Sequence, residues 1–299
     1  FVSIFANAQS NGYITSYSAK PKINISNTYF YTPPPNLLLP DSIEALIAFT
    51  GKERFNSKNI PLIKEGRRFK FSFSAPDSAS VLLITIVNAK VNLSEYSPLL
   101  VFKKKVIDNN NAHGFVVDLH DKKGNKFRNK EIQLAELQSQ WVYFMDLTEL
   151  SNKSLIRIYE NSFKKYPELK KDNNINYLYY LFTEGSEVAK NNLFNYANSK
   201  ISNESTEEDL LRASQIFGWL KMVNDRQKVK DKILEKFPTG QFAKESYLQE
   251  YSSKRNVGES EQTILADLET YIKKFGDSSK KDIFYSKIVN LSFDTADWD

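Results

Sequence analysis

The sequence predicts two modules in order, an antiparallel β-sandwich and then an α-helical-hairpin solenoid. Three observations carry that expectation. Apolar residues follow the period of strands from about residue 20 to residue 121, they recur at spacings of three and four beyond residue 130, and one helix-ending phrase appears three times in the second half. The composition is that of an ordinary globular protein, 41% hydrophobic and 26% charged over 299 residues, a length that suits about two domains. Twenty-one Phe and sixteen Tyr supply ample core volume.

In chain order, Tyr29-Phe30-Tyr31 reads as an edge strand running into the turn Thr32-Pro33-Pro34-Pro35-Asn36. Ile43 to Phe49 and Ser80 to Val87 read as more fully buried strands. Arg68-Phe69-Lys70-Phe71-Ser72-Phe73-Ser74 alternates polar and aromatic residues without a fault, which places three phenylalanines on one face of a half-buried strand. Glu53 to Asn59, Lys64-Glu65-Gly66 and Ala75-Pro76-Asp77 are turn-forming. About seven short strands in about a hundred residues, with no helical pattern among them, argue for an immunoglobulin-like sandwich. The usual disulfide and its packing Trp are absent, so strand count and turn spacing carry the inference.

Beyond Lys130 the period is helical. Leu134, Leu137, Gln138 and Trp141 share one helical face, as do Leu155, Ile158, Tyr159, Ser162 and Phe163. Further amphipathic stretches run about Ile175 to Phe182, Val188 to Ile201, Glu207 to Val223, Gln227 to Phe237, Phe242 to Tyr251, Ser260 to Phe275 and Lys281 to Leu291. The repeated phrase is Phe163-Lys164-Lys165-Tyr166-Pro167, then Leu234-Glu235-Lys236-Phe237-Pro238, then Ile272-Lys273-Lys274-Phe275-Gly276. The aromatic can pack back on its helix while Pro or Gly turns the chain. These phrases lie about two units and one unit apart on a ~35-residue period, close to that of tetratricopeptide-like hairpins, although the full Gly and Ala pattern is not met. The expected boundaries are 1–8 for a signal-peptide remnant, 9–19 for a linker, 20–127 for the sandwich and 128–299 for a helical-repeat domain truncated at its C-terminus.

The ends of the chain support export. Phe1-Val2-Ser3-Ile4-Phe5 precedes Ala6-Asn7-Ala8, the small-x-small pattern of a signal-peptidase site, with maturation expected near Gln9; a short buried strand is the alternative. Asp294-Thr295-Ala296-Asp297-Trp298-Asp299 reads as a helix N-cap and acidic first turn, so more chain is expected to follow. Export also accounts for a chain with no cysteine, which avoids unpaired thiols in an oxidising compartment. No stretch approaches the roughly 20 apolar residues of a membrane helix.

Few residues suggest chemistry. The net charge of +5 comes from scattered lysines and reads as solubility, not nucleic-acid binding; the densest run, Lys103-Lys104-Lys105, would point to alternate faces of a strand. On one extended strand the odd spacing of His113 and His120 sets them on opposite faces, which disfavours a shared metal. Asp108 before Asn109-Asn110-Asn111 lacks the alternating ligands and closing Glu of a calcium loop and reads as a turn. Glu207-Glu208-Asp209 after Ser205-Thr206 caps a helix. Tyr177, Tyr179 and Tyr180 read as helical core. Tyr29, Phe30 and Tyr31 are the one candidate ligand platform, able to stack on a sugar if exposed, with the edge strand as the preferred reading. No catalytic residue, metal ligand or cofactor is assigned.

The segment Asp108-Asn109-Asn110, Gly114-Phe115-Val116 and Asp121-Lys122-Lys123-Gly124 resembles, in order and spacing, the N-terminal non-catalytic region of Bacteroidetes exported thioredoxin-like proteins, the TlpA/ResA type of thiol-disulfide oxidoreductase. Thr32-Pro33 and Pro61-Leu62 leading to Gly66 are similar to that region too. Three triplets, Asp41-Ser42-Ile43, Asp77-Ser78-Ala79 and Asp294-Thr295-Ala296, resemble the O-glycosylation pattern of such exported proteins. The family's active Cys-x-x-Cys lies in a C-terminal thioredoxin domain and has no counterpart here, so no catalytic residue carries over. The resemblance implies a periplasmic scaffold whose helical groove holds a protein partner or client polypeptide for a thioredoxin domain beyond Asp299. The alternatives are a stand-alone interaction subunit of an envelope complex, peripheral to the outer membrane, and a glycan-binding module.

Overall fold

Residues 12–51, 55–91, 104–253 and 260–285 are described by this computed structural model. The expected signal-peptide remnant at 1–8, the Asp294 to Asp299 helix start and Lys103 lie outside them. In chain order the strands are β1 (Tyr13–Ser16), β2 (Ser26–Thr32), β3 (Ile43–Thr50), β4 (Phe55–Pro61), β5 (Ile63–Glu65), β6 (Arg68–Ser74), β7 (Val81–Val91), β8 (Lys104–Asp108) and β9 (Phe115–Asp118). The helices follow: α1 (Lys130–Met145), α2 (Asn152–Lys165), α3 (Leu169–Thr183), α4 (Glu187–Ser199), α5 (Glu207–Trp219), α6 (Val223–Lys236), α7 (Gln241–Ser253) and α8 (Glu261–Phe275). The architecture is therefore β then α.

The strands form two antiparallel sheets, one ordered β1-β2-β6-β5 and the other β4-β3-β7-β8, with β9 also on β7. Alternation in β2 and β6 turns Tyr29, Tyr31, Phe71 and Phe73 toward the second sheet, where Ala45, Ile47, Ile84, Ile86 and Phe115 meet them in one core. Tyr29 stacks on Phe71 with ring centroids 5.3 Å apart, and Phe115 meets Tyr31 edge-on at 5.8 Å. Each such ring contributes about 1.5–3 kcal/mol by leaving water. Part of the segment expected as a linker is strand: β1 pairs with β2 from Tyr13 opposite Thr32 to Ser16 opposite Tyr29. Four residues, of which Ile14 packs against the core, are too few for periodicity to reveal.

The second sheet is covered on both sides. Ala48, Val81 and Leu83 point away from the sandwich core and pack against Leu137, Met145 and Leu147, with Leu134 and Trp141 at the edge. That second layer is why β3 and β7 are apolar at almost every position. It also corrects the boundary expected at 127/128. The compact units are 1–185 and 186–299, so α1, α2 and α3 belong with the sheets. The change of period marks a change of backbone conformation, not a change of packing partner.

Where β8 gives way to β9, the chain makes a turn of unusual hand. Asn110, Asn111, Ala112 and Gly114 have φ of 52°, 55°, 64° and 70°. Asn suits this region because its short side chain bonds locally. Asp108 Oδ1 accepts from the Asn110 N–H at 3.1 Å, and Asn110 Nδ2 donates to the Gly114 carbonyl at 3.0 Å. Asn109 Nδ2 reaches the carbonyls of Met145 and Asp146 at 3.1 and 2.6 Å, and the Thr148 N–H donates to the Ala112 carbonyl at 2.7 Å. Asp146, itself left-handed at φ 48°, ends α1 there.

In the second unit, Thr206 and Asp209 form a reciprocal capping box at the start of α5, as the acidic run after Ser205-Thr206 implies. Glu207 does more: its carboxylate accepts from the N–H groups of Gln241 and Phe242 at 3.3 and 2.7 Å, capping α7 from a neighbouring helix. Lys236 Nζ donates to the carbonyls of Asn203 and Ser205, both at 2.6 Å. Leu248, Tyr251, Ile264, Leu268, Tyr271 and Phe284 pack α7, α8 and the following residues into one cluster. The repeated phrase falls at three helix ends. Tyr166 and Phe237 take similar conformations, φ/ψ of −139°/80° and −127°/61°, each before Pro, whereas Gly276 ends α8 left-handed at φ 65°.

Gly114→Ala tests the β8–β9 turn. A methyl group there would lie 2.4 Å from Leu83 Cδ1, at a φ that side chains resist. We expect a loss of about 2–3 kcal/mol, read as a lower urea midpoint at unchanged slope.

Candidate functional site

The residues singled out from sequence do not converge. Tyr29 and Tyr31 are wholly buried and Phe30 is 8% exposed, so the three rings offer no sugar-stacking platform. Tyr29 and Tyr31 fill the sandwich core, and Phe30, on the opposite face of β2, lies under the Arg68 guanidinium, 3.7 Å from its ring centre. Nor is β2 an edge strand, since β1 and β6 flank it. The expectation failed because β1 was not visible in sequence and so left β2 looking uncovered.

His113 and His120 are not on one strand. His113 sits in the left-handed turn, whereas His120 is buried just beyond β9, with Nδ1 3.3 Å from the Pro21 carbonyl and its backbone bridging to Lys22 and Lys126. Among the described residues no group of three or more His, Asp and Glu is placed to hold a metal ion, and no helix is long and apolar enough to cross a membrane. Asp108 is the last residue of β8, not part of the turn itself; its carboxylate accepts from the Asn110 N–H in the turn that follows and takes a 2.6 Å hydrogen bond from the Tyr31 hydroxyl. Asp121 accepts from the Asn125 N–H at 2.8 Å and shapes the second turn of the segment.

Two features were not legible in sequence. The first is buried: Glu136 of α1 accepts from the Tyr159 hydroxyl of α2 and from Asn176 Nδ2 of α3 at 2.7 Å, tying three helices together. Rings of Phe163, Tyr177 and Tyr180 surround Tyr159, all within 5.9 Å of it between centroids. Tyr177, Tyr179 and Tyr180 are half-buried in this cluster, not fully in a core. No spacing rule connects Glu136 to Asn176.

The second is a cleft of about 390 Å³ between the 126–131 segment and the C-terminal half of α2. Its charged lining is Lys126, Arg128, Lys130, Lys165 and Glu131, and Ile158 and Tyr166 supply apolar surface. Lys126 and Lys130 both reach Asp118, at 3.2 and 2.8 Å. Burial alone would push the Asp118 carboxyl up, but hydrogen bonds from Lys130 and Lys126 together with their charge bring it below the usual carboxylate range. Arg128 pairs with Glu168, whose carboxyl its guanidinium holds down. The Tyr166 ring lies 5.5 Å from the Arg128 guanidinium and 5.1 Å from Lys165 Nζ. Lys165 makes no ion pair among the described residues.

The chain matches no family model and no curated protein.

The buried phenols set an alkaline limit on the fold. Burial pushes Tyr29, Tyr31, Tyr159 and Tyr180 far above the ordinary phenol value, with Asp108 adding to the effect at Tyr31 and Glu136 at Tyr159 and Tyr180. A group that keeps its proton longer in the fold than in the unfolded chain stabilises the fold below the unfolded value of about 10 and loses that contribution as pH rises above it. The denaturant midpoint is therefore expected to hold up to about pH 10 and to fall beyond it. A fraction of the tyrosinate absorbance should appear only together with loss of the near-ultraviolet circular dichroism.

Proposed function

We propose that this chain is the non-catalytic scaffold of an exported thioredoxin-family disulfide oxidoreductase, binding a partner polypeptide for a catalytic domain that follows it. The observation that carries the reading is the role of the Asp108 to Gly114 turn. The motif behind the resemblance is the joint between sheet and helix, since Asp108 holds Tyr31 of the first sheet and Asn109 holds the end of α1. Residues with that structural role fit a region that positions other parts and does no chemistry of its own. A chain with no cysteine has no thiol to exchange.

Strand order supports an immunoglobulin-like type for the sandwich. The sequence β1-β2-β6-β5 facing β4-β3-β7-β8 parallels the A-B-E-D and C′-C-F-G orders of that class. For the helices, consecutive packing of α4 on α5, α5 on α6 and α6 on α7 is consistent with hairpin repeats, as are the similar caps at Tyr166 and Phe237. Successive hairpins offer successive contacts to an extended partner. Periplasmic residence, by way of the Ala6-Asn7-Ala8 site, belongs to the same reading.

The test is the intact mass of the native protein from the periplasmic fraction, before and after thiol alkylation in reductant and denaturant. We expect a mass well above the 34.5 kDa of this chain and a pair of alkylated cysteines. A mass matching the chain, without alkylation, would overturn the oxidoreductase parent and leave a stand-alone interaction subunit.

A further inference from the structure

We propose that the cleft between the 126–131 segment and α2 binds an acidic segment of a partner polypeptide through its carboxylates. The lining chemistry is selective. Lys126, Arg128, Lys130 and Lys165 bring four cations to a cleft with one lining carboxylate, Glu131. Ile158 and the Tyr166 ring add apolar surface, which a bare phosphate would leave unused and which the side chains of a peptide can cover. A space of about 390 Å³ is also larger than a single small anion needs.

The chain's own carboxylates show how a ligand would be held. Glu168 occupies the guanidinium of Arg128, and Asp118 occupies both Lys126 and Lys130. The two pairs differ in permanence. Asp118 and Lys130 are each about a quarter exposed, and burial and two lysines hold Asp118 in place. Arg128 and Glu168 have side chains 65% and 52% exposed, a pair that water and salt weaken and that an incoming carboxylate can replace. Glu168 thus acts as an internal competitor for the ligand, while the neighbouring Lys165 makes no ion pair among the described residues. The planar fork of Arg128 suits a carboxylate, and its guanidinium lies 5.5 Å from the centre of the Tyr166 ring.

Nucleic acid is disfavoured at this surface. Glu131, Asp118 and Glu168 interleave with the cations, so the surface offers separate places for single carboxylates and no continuous positive track for a phosphate backbone. The inference rests on the partner-binding reading but not on the oxidoreductase parent, and it concerns a surface in the first unit, apart from any groove along the later helices.

The test is fluorescence anisotropy on the full chain with a labelled peptide of alternating Glu and Leu. The comparison probes are the same peptide with Gln for Glu, inorganic phosphate and a single-stranded oligonucleotide. We expect saturable, salt-sensitive binding of the Glu peptide alone. Arg128→Ala combined with Lys165→Ala should weaken it by about tenfold or more. Glu168→Gln should tighten it, a gain that a merely structural role for these residues would not produce. All three substitutions lie at exposed positions, and unchanged circular dichroism will confirm folding. No binding, binding indifferent to these variants, weakening by Glu168→Gln, or equal binding of the Gln peptide or the oligonucleotide would each overturn the proposal. If the double variant still co-purifies with the wild-type protein's native partner, the cleft inference falls and the partner-binding reading stands.

Discussion

The hydrogen-bonded chain from Tyr31 through Asp108 and Asn109 to Asp146 fixes the geometry on which the first unit depends. Each link joins a different layer: Tyr31 belongs to the first sheet, Asp108 ends a strand of the second, and Met145 and Asp146 close α1. A layered arrangement held by apolar packing alone tolerates sliding, because burial is not directional. The hydrogen bonds are directional, and they set the end of the helix against the end of the strand. With α1 so placed, Glu136 and Gln133 fall where their partners are. Gln133 accepts from the Ser80 N–H at 2.8 Å and donates to the Ser78 carbonyl at 2.9 Å, pinning the helix to the start of β7.

How much of this was legible in sequence depends on what each pattern reports. The alternation of Arg68 to Ser74 was readable because one face of β6 meets the core and the other meets solvent. The apolar runs in β3 and β7 announced burial on two faces, yet nothing in them named α1 as the cover. Length defeated the reading of β1, whose single apolar inward residue, Ile14, is no pattern. Spacing misplaces His113 and His120 because left-handed residues turn the chain between β8 and β9, so the two do not share a strand. The cleft was invisible for a different reason. Lys126, Arg128 and Lys130 are neighbours in sequence, but Lys165 and Tyr166 join them only through the packing of α2 on α1.

The second unit solves helix ends by borrowing. The N–H groups opening α7 are satisfied by Glu207, which belongs to α5, and carbonyls of the 203–205 turn are satisfied by Lys236 at the end of α6. A methyl group on Gly240 would lie 2.6 Å from the Glu207 carboxylate, so glycine there makes room for the cap. The acidic run that sequence assigned to one helix therefore serves two. That double use makes the α5 start and the α6–α7 junction a single cooperative element, and opening either exposes unpaired groups in both.

The sharing of β7's outer edge between β8 and β9 has a consequence for how the protein behaves in company. β9 takes the first part of β7, at Val81 to Ile84, and β8 takes the part from Ile86 onward, with two irregularities in its register. A long, flat, apolar strand such as β7 would template another chain if its edge were open. Here two short partners close it, and the left-handed turn between them at Asn109 to Gly114 interrupts the line that a foreign strand would need. Short, irregular borders of this kind protect against edge-to-edge aggregation. The turn that locks the layers together thus also divides the border that β8 and β9 present to a foreign strand.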